Sequence, residues 1–499
     1  MLSLQSAVRS LQPARHVGLF SSTYSLQPTV YSLVLCVLFC AGCVVSRVDP
    51  RKPDLPLPEH LPEQGAAAPV LNPWWSVLND SIVEALINEA LDRNPDVTIA
   101  AARVVEARSV LRETRAQQLP TLEANANASR SRVNGALLTG VPGSSYIYND
   151  FIAQGAVAYE TDFWGRYFRA SQAAHARLAA SEFDREAVKL SLSGDVARRY
   201  YQLIAAAQQL EIARSTLKSR DEALQIEQLR AHAGESDELT LRRAEADEAA
   251  ARSAVAQLEL QATRLDHSLS VLLGRSPKEL TAGISLANGF SLPAVPQVPS
   301  GLPSEILARR PDVQSAEATL VATSEDVGAA RASLFPSIRL TGTYGRESTE
   351  LSELFTSPSA IWSVAAGLTQ PIFEGGRLRA ALTGAKARQE QARARYARTV
   401  QTAFRDVLDG LRGESLLARI EQSNADQVTS LSRATELAEL RYNEGDLAYI
   451  DLLDARRSLY QAQLDLVSAR RDALLNVIDI ALGLGGGLGP RTEPIAAKR

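Results

Sequence analysis

Leu122-Glu123-Ala124-Asn125-Ala126-Asn127-Ala128-Ser129 alternates apolar and polar residues, and that alternation decides the fold. A period of two sends one set of side chains to each face of a strand, so this stretch is a strand with one apolar and one polar side. Pro120 precedes it, and a glycine- and serine-bearing loop over 134–150 follows. Phe151, Ala153, Gly155, Val157 and Tyr159 then alternate against Gln154 and Glu160. The pattern returns as Ile338, Leu340, Gly342 and Tyr344 against Arg339, Thr341 and Thr343, and as Trp362, Val364, Ala366 and Leu368 against Ser363 and Thr369. Four strands in two hairpins are therefore expected, at about 121–133, 151–163, 337–346 and 360–372. Lengths of roughly ten to thirteen residues suit tilted membrane strands.

Around the strands the period changes to that of helices. Ser81 to Gln118 is helical, with Pro95 and Asp96 opening its second part. Val196, Leu203, Leu210, Leu217 and Leu224 recur every seven residues, Leu258, Leu265 and Leu272 resume the interval, and Leu452, Leu459, Leu466, Ala473 and Ile480 repeat it. Heptads sustained this far predict helix packed on helix as in a coiled coil. A helix from Arg166 to about His232 would run on the order of 100 Å at 1.5 Å per residue. The chain also repeats itself. Asn94-Pro95-Asp96-Val97 recurs as Arg310-Pro311-Asp312-Val313, Phe163-Trp164-Gly165-Arg166 as Phe373-Glu374-Gly375-Gly376-Arg377 with one residue inserted, and Gly234, Leu241 and Ala244 as Gly445, Leu452 and Ala455. The expectation is one architecture used twice, over 76–290 and 291–485, with a flexible tail at 486–499.

Composition narrows the function. Of 499 residues 45% are hydrophobic but only 6% aromatic, which fits packed helices better than a thick core. The net charge is −4 and no basic run occurs, so nucleic acid is not an expected partner. All three cysteines (Cys36, Cys40, Cys43) lie near the N-terminus, which excludes a disulfide or cysteine metal site from the main body. The apolar run Tyr31 to Cys43 has the length of a signal-peptide core. It ends in Cys40-Ala41-Gly42-Cys43, which resembles a bacterial lipobox with Cys40 at the usual leucine position. Residues 1–42 are thus expected to be a signal peptide and Cys43 the lipidated first residue of the mature chain. Prolines at 50, 53, 56, 58, 62, 69 and 73 make 43–75 a proline-rich tether.

Four strands cannot close a membrane barrel, since about eight are needed, and open edges would leave backbone groups unpaired in lipid. Several chains must pool their strands. Two would give a filled eight-stranded barrel and three a twelve-stranded one with a polar lumen, a preference that geometry alone makes modest.

The ordered set Trp74-Trp75, the paired Pro-Asp-Val helix starts, Phe373-Glu374-Gly375-Gly376-Arg377, and Arg441-Tyr442-Asn443-Glu444-Gly445 leading into Tyr449-Ile450-Asp451-Leu452-Leu453-Asp454-Ala455 resembles the outer membrane efflux protein family. These TolC-like ducts include a NodT-type lipoprotein branch, to which the chain is most similar. The resemblance covers about residues 70–485. It implies a mainly α fold with a β-barrel part: a homotrimer with a twelve-stranded barrel in the outer membrane and a twelve-helix α-barrel across the periplasm. It also implies a periplasmic adaptor (membrane fusion) protein and an inner-membrane RND-type pump as partners, and the expected lipid anchor and tandem prolines lean towards small molecules such as drugs as cargo. An exit duct for type I protein secretion would share the fold, and a non-pore periplasmic scaffold is a rival from another class.

No enzyme activity and no cofactor are expected. There is no Gly-Lys dipeptide and hence no phosphate-binding P-loop, and the five histidines lack metal-ligand spacing. The run Gly483-Leu484-Gly485-Gly486-Gly487 reads as a flexible exit from the last helix. Asp451 and Asp454 sit three residues apart, on one side of a helix, shortly after Gly445. Acids near a helix start also simply favour its dipole, and the residues alone divide evenly between that role and a functional one. The resemblance implies that this turn is the periplasmic tip and that the two aspartates line its constriction, where three copies would set six carboxylates around one axis. Tyr442, Gly445, Gly234 and Thr240 complete the expected tip turns. Thr240 is the first-half counterpart of Asp451, and Leu447 stands where some members carry an arginine that ties the closed tips together.

Overall fold

A computed structural model describes residues 52–53, 73–134, 145–280, 291–296 and 309–487. All of them belong to one unit, Val48–Arg499; the other, Met1–Arg47, lies outside the described residues together with the expected signal peptide and Cys43. A 3-10 turn at Trp74–Leu78 leads into α1 (Ser81–Arg93) and α2 (Pro95–Ala116), then β1 (Thr121–Asn134) and β2 (Ser145–Thr161). The long helices α3 (Arg166–His232) and α4 (Glu238–Leu272) follow. A second series runs α5 (Pro311–Ala332), β3 (Ser337–Ser348), β4 (Ala360–Thr369), α6 (Arg377–Asn443) and α7 (Tyr449–Gly483). Corresponding helices match in length: 22 residues in α2 and α5, 67 in α3 and α6, 35 in α4 and α7.

The strands form one antiparallel sheet in the order β1-β2-β3-β4. Residues directly opposite one another share a face. Leu122, Val157, Gly342 and Val364 form one row across all four strands, and Ala124, Gly155, Tyr344 and Trp362 another. Between them lies the polar-side row Glu123, Ala156, Thr343 and Ser363, in which the Thr343 and Ser363 hydroxyls are 2.7 Å apart. The apolar parity expected from each strand thus lands on a single face of the sheet. Leu122, Tyr344, Trp362, Val364 and Leu368 are all at least 70% exposed, so no part of the described chain covers that face. Gly345 must be glycine, because a Cβ there would collide with Gln154 on β2.

Strand ends depart from expectation where local chemistry intervenes. β2 starts at Ser145, not 151, because β1 runs on to Asn134 and pairs with it. Its first turn of alternation is hidden because the large residues Tyr146 and Tyr148, whose rings stack at 6.1 Å, occupy the opposite parity from Phe151. β2 ends at Thr161 because the Asp162 carboxylate accepts the N–H groups of Tyr167 (3.1 Å) and Phe168 (2.6 Å), capping α3. β3 extends to Ser348, and β4 stops at Thr369, ahead of Pro371, which has no N–H to give a ladder.

The main core gathers α1, α3, α4 and α7 around Ile87, Tyr200, Tyr201, Leu269, Leu273 and Ile478. Trp74 belongs to it, buried, with its indole N–H donated to Ser193 at 2.9 Å, so the tether expected over 43–75 has joined the core by residue 74. A smaller cluster of Val313, Val400, Ala403, Val407 and Leu411 serves α5 and α6. The glycines after α7 are packed, contrary to the expected loose exit. Arg310 donates to the Gly483 carbonyl at 3.1 Å, and a Cβ on Gly485 or Gly486 would press on Arg310 or Leu190. The remainder of the expected tail, from residue 488, lies outside the described residues. Among the described residues no helix is long and apolar enough to cross a membrane.

Candidate functional site

Two turns reverse the long helices, α3 into α4 and α6 into α7, and each uses a glycine in the left-handed region: Gly234 at φ 73° and Gly445 at φ 84°. Their hydrogen bonds correspond one to one. Glu235 N–H bonds Arg230 C=O at 2.9 Å as Asp446 N–H bonds Arg441 C=O at 2.9 Å, closing the carbonyls that a helix end leaves free.

Beyond the backbone they differ. In the first turn the Asp237 carboxylate accepts the Thr240 N–H at 2.6 Å and caps α4. That bond and others from the same turn, with Arg243 nearby, hold Asp237 below the ordinary carboxylate range. The α7 start has no side-chain cap. Asp451 and Asp454 lie in its first turns and are exposed, whereas Leu452 and Leu453 between them are each only 2% exposed. The helix therefore puts its leucines into packing and both acids away from it. Thr240 and Leu447 are half-buried, and Gly234 and Gly445 exposed.

Tyr442 does more than mark the turn. Its hydroxyl donates to Glu227 Oε1 at 2.7 Å and accepts from the Arg230 guanidinium at 3.1 Å, which lies 5.3 Å from the Tyr442 ring centre. Glu227 is 2% exposed and also takes bonds from Arg230 and from the Ser236 hydroxyl, both at 3.1 Å. Burial, then the bond to Glu227, pushes the Tyr442 hydroxyl up to about 12, opposed by Arg230. Further from the turns, Asp247 of α4, 3% exposed, pairs with buried Arg220 of α3 and accepts from Arg457 of α7 at 3.1 Å. Tyr449 packs with Leu453 and Ala244, its ring centre 5.6 Å from that of Tyr442.

The α3/α4 hairpin is thus tied to α6 through Glu227 and Tyr442, and to α7 through Asp247 and Arg457. Sequence reading located Tyr442 but not Glu227, Arg230, Asp247, Arg220 or Arg457. Nothing in a helical heptad says which of many charges is buried against a helix some two hundred residues away. Among the described residues no group of three or more His, Cys, Asp or Glu side chains is placed to hold a metal ion.

Residues 86–275 and 302–486 match the family model for outer membrane efflux proteins. The chain belongs to the outer membrane efflux protein family. It is 33% identical over 467 residues to the solvent efflux pump outer membrane protein SrpC of Pseudomonas putida, covering 91% of this chain and 97% of that one. With the probable outer membrane lipoprotein SilC of Salmonella typhimurium it shares 32% identity over 457 residues, 90% of this chain and 97% of the other. The crystal structure of the Campylobacter jejuni CmeC outer membrane channel superposes with a TM-score of 0.82 at 25% identity, over 88% of this chain and 95% of that one. As a member of this family the chain is an outer-membrane efflux protein.

Proposed function

We propose that three copies of this chain build one passive exit duct for small molecules, the outer-membrane element of a tripartite efflux machine whose periplasmic adaptor and inner-membrane RND-type pump supply the energy. The observation that carries this is the four-stranded sheet, with one apolar face, one polar face and two open edges. In lipid an open edge leaves backbone groups without partners, and pooling twelve strands removes every edge while the polar rows line a lumen. The equal lengths of the two helical series support a duplicated architecture, in which the long hairpins of three chains form a twelve-helix tunnel. Cys43 is the lipidated mature N-terminus on this proposal.

The tip turns are the gate. Six carboxylates from Asp451 and Asp454 surround the axis and favour cations, while the Glu227–Tyr442 and Asp247–Arg457 contacts hold the two hairpins of a chain together. Single-channel recording of purified protein in planar bilayers tests duct and gate together. The expected result is a small, cation-selective conductance sensitive to divalent ions. Asp451→Ala with Asp454→Ala should conduct more and lose most of that selectivity and divalent block. A folded monomer in lipid, or no conductance from purified trimer, would contradict the duct.

A further inference from the structure

The register of the sheet sorts its charges by sign. The acids of the paired strands are Glu123, Asp150, Glu160 and Glu347, and every one falls on the polar face: Glu123 in the row of Thr343 and Ser363, Asp150 opposite Ser129, Glu160 opposite Arg339 and Glu347 opposite Ile152. The charged residues of the apolar face are Arg130, Arg132 and Arg346, all basic. Arg130 and Arg132 continue the parity of Leu122, Ala124, Ala126 and Ala128, opposite Asn149 and Ile147, and Arg346 lies opposite Ala153 and Ala360.

These arginines sit towards the hairpin-loop end of the sheet, away from the helices. Arg346 is half-buried and serves the β3–β4 loop, its guanidinium donating to the Thr356 carbonyl and, at 3.4 Å, to the Ser359 hydroxyl. Arg130 and Arg132 are exposed. Arg132 donates to the Ser145 hydroxyl at 2.9 Å, and neither arginine has an ion pair among the described residues. They lie eight and ten residues beyond Leu122 on β1. For a strand tilted about 40° that is roughly 20–25 Å along a barrel axis, the height of the apolar band of a membrane barrel. The outward face therefore turns from apolar to basic where hydrocarbon would give way to headgroups.

We propose that Arg130 and Arg132 of each copy are a docking site for the phosphate groups of the glycolipid in the outer leaflet of the outer membrane. This rests on the shared-barrel reading, which puts the loop end of the sheet at the cell exterior and the apolar face against lipid. Two observations select this occupant. The arginines continue the apolar face, so acyl chains that cover Ala128 and Phe151 bring their headgroups to Arg130 and Arg132. Charge is complementary as well, because a face with bases and no acid attracts anions, whereas bases kept only for solubility need not avoid the face that holds every acid. Two residues apart on one strand face, the arginines are about 7 Å apart along it, close enough to reach one phosphorylated headgroup together. Guanidinium forks match phosphate oxygens, and facing hydrocarbon instead would be costly.

The test titrates delipidated trimers of the full chain, in detergent, with fluorescent lipopolysaccharide. Arg130→Ser with Arg132→Ser should weaken binding on the order of tenfold, while Arg130→Lys with Arg132→Lys should retain most of it. Lipopolysaccharide stripped of its phosphates should bind the parent about as weakly as the intact lipid binds the serine variant. Adding Ser129→Arg and Ser131→Arg to that variant returns the charge on the polar face and should not restore binding. Restoration by the moved charge would make net charge responsible and overturn the site. Unchanged binding in the serine variant, or equal binding of phosphate-free lipid to the parent, would overturn it too, and displacement by inorganic phosphate alone would reduce it to a small-anion site. If the serine variant lost its trimers and Glu350→Arg regained them, the arginines would belong to an ion pair with the next copy's loop. Any of these results in trimers that conduct normally would leave the duct standing. A parent chain that never forms trimers would remove both the site and the duct.

Discussion

The two long hairpins, α3/α4 and α6/α7, share lengths of 67 and 35 residues and turn on the same glycine geometry, yet hardly any of their polar chemistry agrees. The first holds the large buried aromatics Tyr200 and Tyr201, the buried acids Glu227 and Asp247, and a side-chain cap at its turn. The second reaches the main core through α7 and has a smaller cluster on α6, with the exposed Asp451 and Asp454 and an uncapped turn. The shared features are those that backbone geometry demands. Where the hairpins differ, one anchors and the other presents charge at the tip.

The largest expected effect falls on the anchoring side. Tyr201 is fully buried, with its hydroxyl 3.4 Å from Asp80, and its position in the second hairpin is held by exposed Arg412. Tyr201→Ala should cost about 3–5 kcal/mol of stability, as large-to-small core changes do. Arg412→Ala should stay within about 0.5 kcal/mol, as surface changes do. Thermal dissociation in detergent measures both, and equal losses would erase the distinction.

Next comes the tie between hairpins. Asp247→Ala leaves Arg220, itself 7% exposed, as a buried charge without its partner, for a loss of roughly 3 kcal/mol. Arg457→Ala should lose no more than about 1 kcal/mol, because that side chain is 51% exposed and screened. A reversed order would place the anchor on α7.

A smaller change is expected from Tyr442→Phe, which removes one of the donors to buried Glu227, for about 1–2 kcal/mol. The sign with pH follows from a hydroxyl whose pKa is raised in the fold from 10.0 to about 12. The contribution is complete below pH 10 and is lost as pH rises through about 12, so parent and variant should converge there. A difference that persisted above that range would mean the ring rather than the hydroxyl is responsible.

Much of this comparison was legible in the sequence, and the limits have physical causes. Period-two alternation placed the four strands, because successive side chains of a strand point to opposite faces and here one face is the more apolar. It failed at Tyr146 and Tyr148, where the large residues change parity, and at Pro371, where the ladder stops although Ile372 continues the apolar pattern. Gly234 and Gly445 gave away the turns because few other residues accept a positive φ. The Asp451 and Asp454 spacing was visible, and so was Tyr442. Its partner Glu227 was not, since burial of a charge is decided by packing between hairpins, and local sequence does not encode it.

The smallest expected stability effect is also the sharpest probe of the division between hairpins, because it copies the charge of the second tip into the first. Thr240 stands where the second hairpin has Asp451, half-buried in the first turn of α4, with its N–H already given to Asp237 at 2.6 Å. Thr240→Asp adds a carboxylate near a helix N-terminus, which the dipole favours by about 0.3–1 kcal/mol. Asp237 lies in the same turn and repels it, and screening at an exposed turn weakens both effects, so net stability should move by less than about 0.5 kcal/mol. The current should respond far more. On the proposed trimeric duct, Thr240→Asp adds a carboxylate per chain near the axis, so cation selectivity and divalent sensitivity should rise above the parent. In the background of Asp451→Ala with Asp454→Ala, Thr240→Asp should recover part of both. Recovery without a change in thermal dissociation would show that charge at this level of the tip sets selectivity, whichever hairpin carries it. No recovery would confine the gate to α7 and make the asymmetry of the two turns a functional requirement.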